Sequence, residues 1–150
     1  MQAGPAVPDH VVDYINQQRT LTLATVDADG RPNATTLVYV NHDAVLYVWV
    51  HQNAASTPKD GDAVAFAIAD YSEDWRQTKG LRGRGTCRAV TGDELGHVAD
   101  GFGTRFPDLR PGATSAVTFL RIDPTELRFI DNTRGDGEPA ADEYRSESVI

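Results

Sequence analysis

Arg76, Lys79, Arg82, Arg84 and Arg88 crowd one short stretch, in a chain with only 14 Lys and Arg against 22 Asp and Glu. Trp75 stands at the head of the stretch, and Gly80, Gly83 and Gly85 lie between the cations. Guanidinium and ammonium groups hold phosphates and carboxylates through charge-assisted hydrogen bonds. Glycine inside a strand often marks the close approach of a ligand or of another backbone. Together these residues suggest a small ligand with a flat part and an anionic part, such as a phosphate ester. The alternative is a solvated strand face. Trp75 either stacks on such a ligand or packs, and packing is the commoner role.

A second polar set comes earlier. Thr35 and Thr36 sit mid-strand among apolar residues, and Ser56, Thr57 and Lys59 follow the next strand. Hydroxyls with a lysine after a strand suit a phosphate or a sugar-like chain. Thr also favours strands for its own sake. His10, His42, His51 and His97 are scattered. His51 ends a strand beside Trp49 and is the histidine placed near a candidate site.

Other chemistries lack their residues. There is no nucleophile elbow, no HExxH pair and no phosphate loop ending in Gly-Lys-Ser/Thr. GLRGRG lies within a strand, so it is not a dinucleotide fingerprint, which needs a strand-turn-helix setting. Asp27, Asp29 and Gly30 read as a hairpin turn, because the later ligands of a calcium loop are missing. Glu73 and Asp74 read as a solvated turn. Cys87 is the single cysteine, which excludes an intrachain disulfide and Cys-based zinc motifs and leaves a small buried residue.

The elements that must position these groups follow from periodicity. A helix is predicted from an Asp9 N-cap to about Arg19, with Val11, Val12 and Ile15 on one face. Strands follow at 21–26, 33–40, 45–51 and 63–70. Across 80–90, Leu81, Gly83, Gly85, Cys87 and Ala89 alternate with Arg82, Arg84, Thr86 and Arg88. That period of two predicts a strand with a small or apolar inner face and a cationic outer face. Asp93 caps a helix to about Phe106. Strands at 114–122 and 126–131 are predicted to be separated by a break at Asp123-Pro124. From Thr133 the chain reads as a polar tail or an arm lying on a partner subunit. The expectation is one mainly β domain, a six- to seven-stranded antiparallel barrel with two peripheral helices.

The net charge of −8 and pI near 4.8 disfavour nucleic acid and anionic membrane surfaces as partners. No apolar run approaches a membrane span, and the N-terminus lacks a signal-peptide pattern, so a cytoplasmic protein is expected.

The order of the pieces resembles the pyridoxamine-phosphate-oxidase-like family of FMN-binding split barrels. LATVDADGRPNATTLVYV is similar to its opening hairpin, and VLYVWVHQNAAS to its third strand and phosphate turn. DWRQTKGLRGRGTCRAV resembles its central strand, and FLRIDPTELRFIDNTRG its closing strand, so the likeness spans about Pro8 to Gly135. The resemblance implies a homodimer with FMN in clefts at the subunit interface. It implies that Thr35, Thr36 and Leu37 line the flavin, and that Trp49 and Val50, with His51 beside them, meet the ring and ribityl chain. It places Ser56, Thr57 and Lys59 in the phosphate turn, and Lys79, Gly80 and Arg82 against the ring edge or ribityl chain. The turn, AASTPKDGD, departs from the family's Ser-Arg-Lys run and leaves Lys59 as its cation. The tail lacks the Trp of the vitamin B6 oxidase, whose activity is therefore not expected. The function implied is a flavin-dependent oxidoreductase or flavin reductase acting on a small substrate or electron donor. Relatives that bind deazaflavin or haem, and non-catalytic dimeric binders, are the alternatives.

Overall fold

A computed structural model describes residues 7–51, 57–70, 72–109, 117–134 and 141–145. The chain forms α1 (Asp9–Gln17), β1 (Thr20–Val26), β2 (Pro32–His42), β3 (Val45–His51), β4 (Ala63–Asp70), β5 (Lys79–Ala89), α2 (Asp93–Arg105), β6 (Val117–Asp131) and β7 (Ala141–Arg145). The strands run in the order β3-β2-β1-β4-β5-β6-β7, all antiparallel, and β3 also pairs with β6. That last pairing closes β1 to β6 into a barrel, which removes exposed edges. β7 adds to the second half of β6.

Alternation fills the lumen. Leu21 and Leu23 of β1, Phe66 and Ile68 of β4, Leu81 and Cys87 of β5, and Leu127 and Phe129 of β6 are all buried in one cluster. α1 adds Val11, Tyr14 and Ile15 to that cluster. The Tyr39 hydroxyl donates to the Ile15 carbonyl, and the Tyr14 hydroxyl to the Lys79 carbonyl at 3.2 Å. Pro8, not Asp9, occupies the N-cap position, and no side chain caps the helix. Pro8 keeps extended backbone there, and Asp9 instead lends its charge to the first turn, where the helix dipole favours it.

α2 covers the outer face of β2, β3 and β6, where Val98, Phe102 and Phe106 pack on Val40, Tyr47 and Phe119. Near its start, Glu94 pairs with Arg88 at 2.9 Å and with Arg121 at 2.6 Å, and accepts from the Tyr47 hydroxyl. Near its end, Arg105 donates to Asn41 Oδ1 and to the carbonyls of Asn16 and Gln18, fastening α2 to the end of α1.

β6 departs from expectation. Asp123-Pro124 does not break it; one strand runs from Val117 to Asp131. The register shifts between Arg84 and Gly85, so Gly85 faces Pro124 while Arg84 faces Glu126. Thr125 is the extra residue of a β-bulge, and its hydroxyl donates to the Arg84 carbonyl. A bulge is where a strand tolerates proline's missing donor. The glycines of β5 serve this corner. A Cβ on Gly83 would lie 2.5 Å from Phe66 Cζ and 2.8 Å from the Glu126 oxygen. A Cβ on Gly85 would collide with the Asp123 carbonyl. The close approach marked by Gly85 is therefore that of a neighbouring backbone, and that marked by Gly83 is of the Phe66 and Leu127 side chains and the Glu126 carbonyl, not of a ligand.

The tail is corrected in part. β7 pairs with β6 from Ile130↔Ala141 to Glu126↔Arg145, within the same chain. Residues 135–140 and 146–150 lie outside the described residues. Among the described residues no helix is long and apolar enough to cross a membrane.

Candidate functional site: a slot at the split in the barrel wall

β2 and β3 pair only from Tyr39↔Val48 to His42↔Val45. Beyond Tyr39, β2 continues alongside β1 alone, with Leu23 opposite Thr35 and Leu21 opposite Leu37. Beyond Val48, β3 continues alongside β6 alone, with Trp49 opposite Phe119 and Val50 opposite Thr118. The two strands diverge, and a pocket of about 530 Å³ lies between them.

Thr35, Thr36 and Leu37 form one wall and Trp49, Val50 and His51 the other. Leu23 and Thr25 reach it from β1, Thr57 and Pro58 from the turn after β3, and Leu109 from beyond α2. Thr35 shares the inner row with Leu23, whereas Thr36 shares the outer row with Thr22, so the slot passes through the wall. Trp49 belongs to the outer layer, with its ring edge-on to Phe102 at 6.3 Å between centroids. Its Nε1 is buried and has no hydrogen-bond partner, an unspent donor in the wall. Buried polar groups normally find partners. Thr57 Oγ1 donates to the His51 carbonyl at 3.4 Å, tying the rim to the end of β3.

The slot thus gathers Thr35, Thr36, Leu37, Trp49, Val50, His51 and Thr57. Ser56 lies outside the described residues. Lys59 is exposed on the adjoining turn and is not among the lining residues. Lys79, Gly80 and Arg82 are on β5, with β1 and β4 between them and β2. One row across the outer surface reads Thr36, Thr22, Ala67, Arg82, Arg128. Arg82 therefore shares a face with Thr36 but stands three strands away, about 14 Å at ordinary strand spacing. Within one chain β5 does not reach the slot. Trp75 is 51% exposed and does not pack as expected. Asp27 Oδ1 accepts from the amides of Asp29 and Arg31, and no group of metal-ligating side chains occurs among the described residues. Cys87 is buried, and burial pushes its thiol up to about 11.

Sequence reasoning missed Leu23, Thr25, Val38, Pro58 and Leu109 in the lining. Leu23 and Thr25 were legible in principle, because strand pairing sets them opposite Thr35 and Asn33. Leu109 follows α2 with no local signal for its position.

The slot suits a planar ring. Its volume is that of a small-molecule site, with apolar and aromatic walls and a few hydroxyls. It suits a phosphate less well, since no Lys or Arg is among the lining residues described.

Residues 7–131 match the family model described as pyridoxamine 5'-phosphate oxidase, and the chain belongs to that family of split barrels. Similar solved structures carry the same fold. HutZ, the haem storage protein of Vibrio cholerae, is 23% identical with a TM-score of 0.65, covering 77% of this chain and 88% of its own. A conserved hypothetical protein of Mycobacterium tuberculosis is 20% identical with a TM-score of 0.69, covering 89% of this chain and 90% of its own. The FAD-binding protein of Mycobacterium smegmatis is 15% identical with a TM-score of 0.64, covering 94% and 98%. No curated protein matches the chain in sequence. The fold is thus shared by flavin-binding and haem-binding proteins.

Proposed function

We propose that this chain binds FMN in the slot between β2 and β3, as a homodimer, and acts as a flavin-dependent oxidoreductase or flavin reductase on a small substrate. The observation that carries this reading is the convergence of Thr35, Thr36 and Leu37 with Trp49, Val50 and His51 across the split. A bound flavin supplies the electron transfer, and the chain supplies the binding surface. Trp49, Val50 and Leu37 exclude water from a ring, while Thr35 and Thr36 offer hydroxyls to its polar atoms. Among the described residues, Lys59 on the rim is the cation offered to the phosphate, and a second copy is a further source. The dimer reading has its own support. α2 packs on β2, β3 and β6 and meets β5 at Arg88, while the outer face of β1, β4 and the first half of β5 carries small residues, Ala24, Ala65 and Ala67, beside Arg82 and Arg84. Purified protein should show flavin absorbance, or bind added FMN at micromolar concentration with quenched flavin fluorescence. Light scattering should give twice the chain mass. Absence of both absorbance and binding refutes the cofactor assignment.

One observation favours a second reading, haem. His51 brings an imidazole to the slot lining, and HutZ shares the fold. Hemin would then give a Soret band that His51→Ala abolishes and His97→Ala preserves.

A further inference from the structure

The turn that carries Thr57 and Pro58 is fastened to the far end of β5 by a set of hydrogen bonds. The Gly61 amide donates to the Cys87 carbonyl at 2.7 Å, and the Cys87 amide to the Asp62 carbonyl at 3.1 Å. The Cys87 thiol donates to the Lys59 carbonyl at 3.3 Å. Asp62 Oδ2 accepts from the Lys59 amide at 2.8 Å, closing the turn on itself, and Gly61 supplies the positive φ of 88° that this needs. The most informative contact is that of Asp60. β4 and β5 pair only as far as Ala63↔Thr86, so the amides of β5 beyond that point have no partner on β4. Asp60 Oδ1 accepts from the Ala89 amide at 2.7 Å. The carboxylate thereby takes the place of a strand carbonyl and extends the sheet by one rung under the turn.

We infer that Asp60 is a positioning residue for the slot: by holding the turn to β5 it sets where Thr57, Pro58 and the first atoms of Lys59 stand, and so sets ligand affinity without touching the ligand. The affinity part rests on the FMN reading above; the positioning part does not. An acceptor lost from a buried or charge-assisted bond leaves its donor unmatched. Here the donor belongs to the rigid strand, so the element free to move is the turn.

The test compares Asp60→Ala with Asp60→Asn in the full chain. Asn keeps an oxygen that can accept from Ala89, and Ala keeps none. Two measurements are made on each variant, hydrogen exchange at the Gly61 amide and titration with FMN. Expected for Asp60→Ala is faster exchange at Gly61, an amide whose own partner, the Cys87 carbonyl, is untouched, and FMN binding weakened about two- to threefold, the lower end of what loss of one solvent-exposed hydrogen bond implies. Asp60→Asn should restore both toward wild type. Rescue by Asn separates the hydrogen bond from the negative charge, and exchange at core amides such as Leu81, unchanged in Asp60→Ala, separates positioning from a general loss of stability. Unchanged exchange at Gly61 in Asp60→Ala overturns the inference, as does an Asp60→Asn variant that behaves like Asp60→Ala. If wild-type protein binds no FMN, the cofactor reading fails and the affinity claim with it; faster exchange at Gly61 with rescue by Asn then still upholds the positioning role.

Discussion

Replacing Gly85 by alanine tests the account of the barrel corner. The added Cβ would collide with the Asp123 carbonyl oxygen, lie 2.9 Å from that carbonyl carbon and 3.1 Å from Pro124 Cα. All three are backbone atoms, so no side chain can swing aside. The β6 backbone is also pinned on its other edge, where Ile122 pairs with Leu46 of β3. Forcing a methyl into such a site costs about 1–3 kcal/mol. Alanine also narrows the unfolded ensemble, which returns about 0.4–1 kcal/mol. Because the colliding atoms are backbone, the cost falls at the upper end of that range, and the net expectation is a loss of about 2 kcal/mol. For a domain of this size each kcal/mol lowers Tm by roughly 2–4 °C, so the variant should melt about 4–8 °C below wild type.

The control is Gly80→Ala in the same strand. Its Cβ would meet only the Ile68 carbonyl oxygen at 3.6 Å, an ordinary contact. That variant should melt at or slightly above the wild-type temperature, through the same unfolded-state effect. Thermal and urea melts followed by circular dichroism, at matched protein concentration, read both. A Gly85→Ala protein melting with wild type would refute the claim that close backbone approach is what β5 needs Gly85 for. The ligand-approach reading of GLRGRG would then return.

Three further outcomes are expected. Burial pushes Glu94 up, but hydrogen bonds from Arg121, Arg88 and Tyr47 outweigh it and hold the carboxyl below its ordinary value. Its folded pKa is therefore below its unfolded one, so this stabilisation is present above about pH 4.5 and fades as pH falls through the lowered value. Glu94→Gln should cost about 2 kcal/mol near neutrality and much less in acid, read by urea melts across pH. Lys79→Ala with Arg82→Ala should weaken FMN binding at least tenfold if these cations reach the cofactor of a second copy, while Arg88→Ala leaves it nearly unchanged, read by flavin fluorescence titration. Cys87, buried and with its thiol raised to about 11, should react with a disulfide reagent slowly at pH 8 and rapidly once urea unfolds the chain.

β5 was legible because its period of two survives on its own, Leu81, Gly83, Gly85 and Cys87 against Arg82, Arg84 and Thr86, and β1 to β4 were legible as β-rich or apolar runs between turn residues. What depends on the partner strand was not. Asp123-Pro124 reads locally as a break, and only the glycine opposite it makes a bulge affordable. The pairing of Ala141–Arg145 with β6 was hidden for the same reason, since a polar segment can complete an edge without an apolar pattern of its own. The walls of the slot were legible through the order of the strands, but the divergence of β2 from β3 that opens it is a property of register.

The cations carry the same lesson further. In sequence Arg82 follows the candidate slot residues as part of one list. In the sheet, the row Thr36, Thr22, Ala67, Arg82 sets it on the same outer surface as Thr36 but beyond two intervening strands. Arg82 is not among the residues that line the slot, and three strand spacings separate its backbone from that of Thr36. Thr22 and Ala67, between them, are small, and small residues on a sheet allow another surface to come close. On the dimer reading proposed above, the cations that meet a ligand in the slot would come from a second copy laid over this face. Binding and dimerisation would then be one equilibrium, and FMN affinity should fall when the protein is diluted below its dimer dissociation constant.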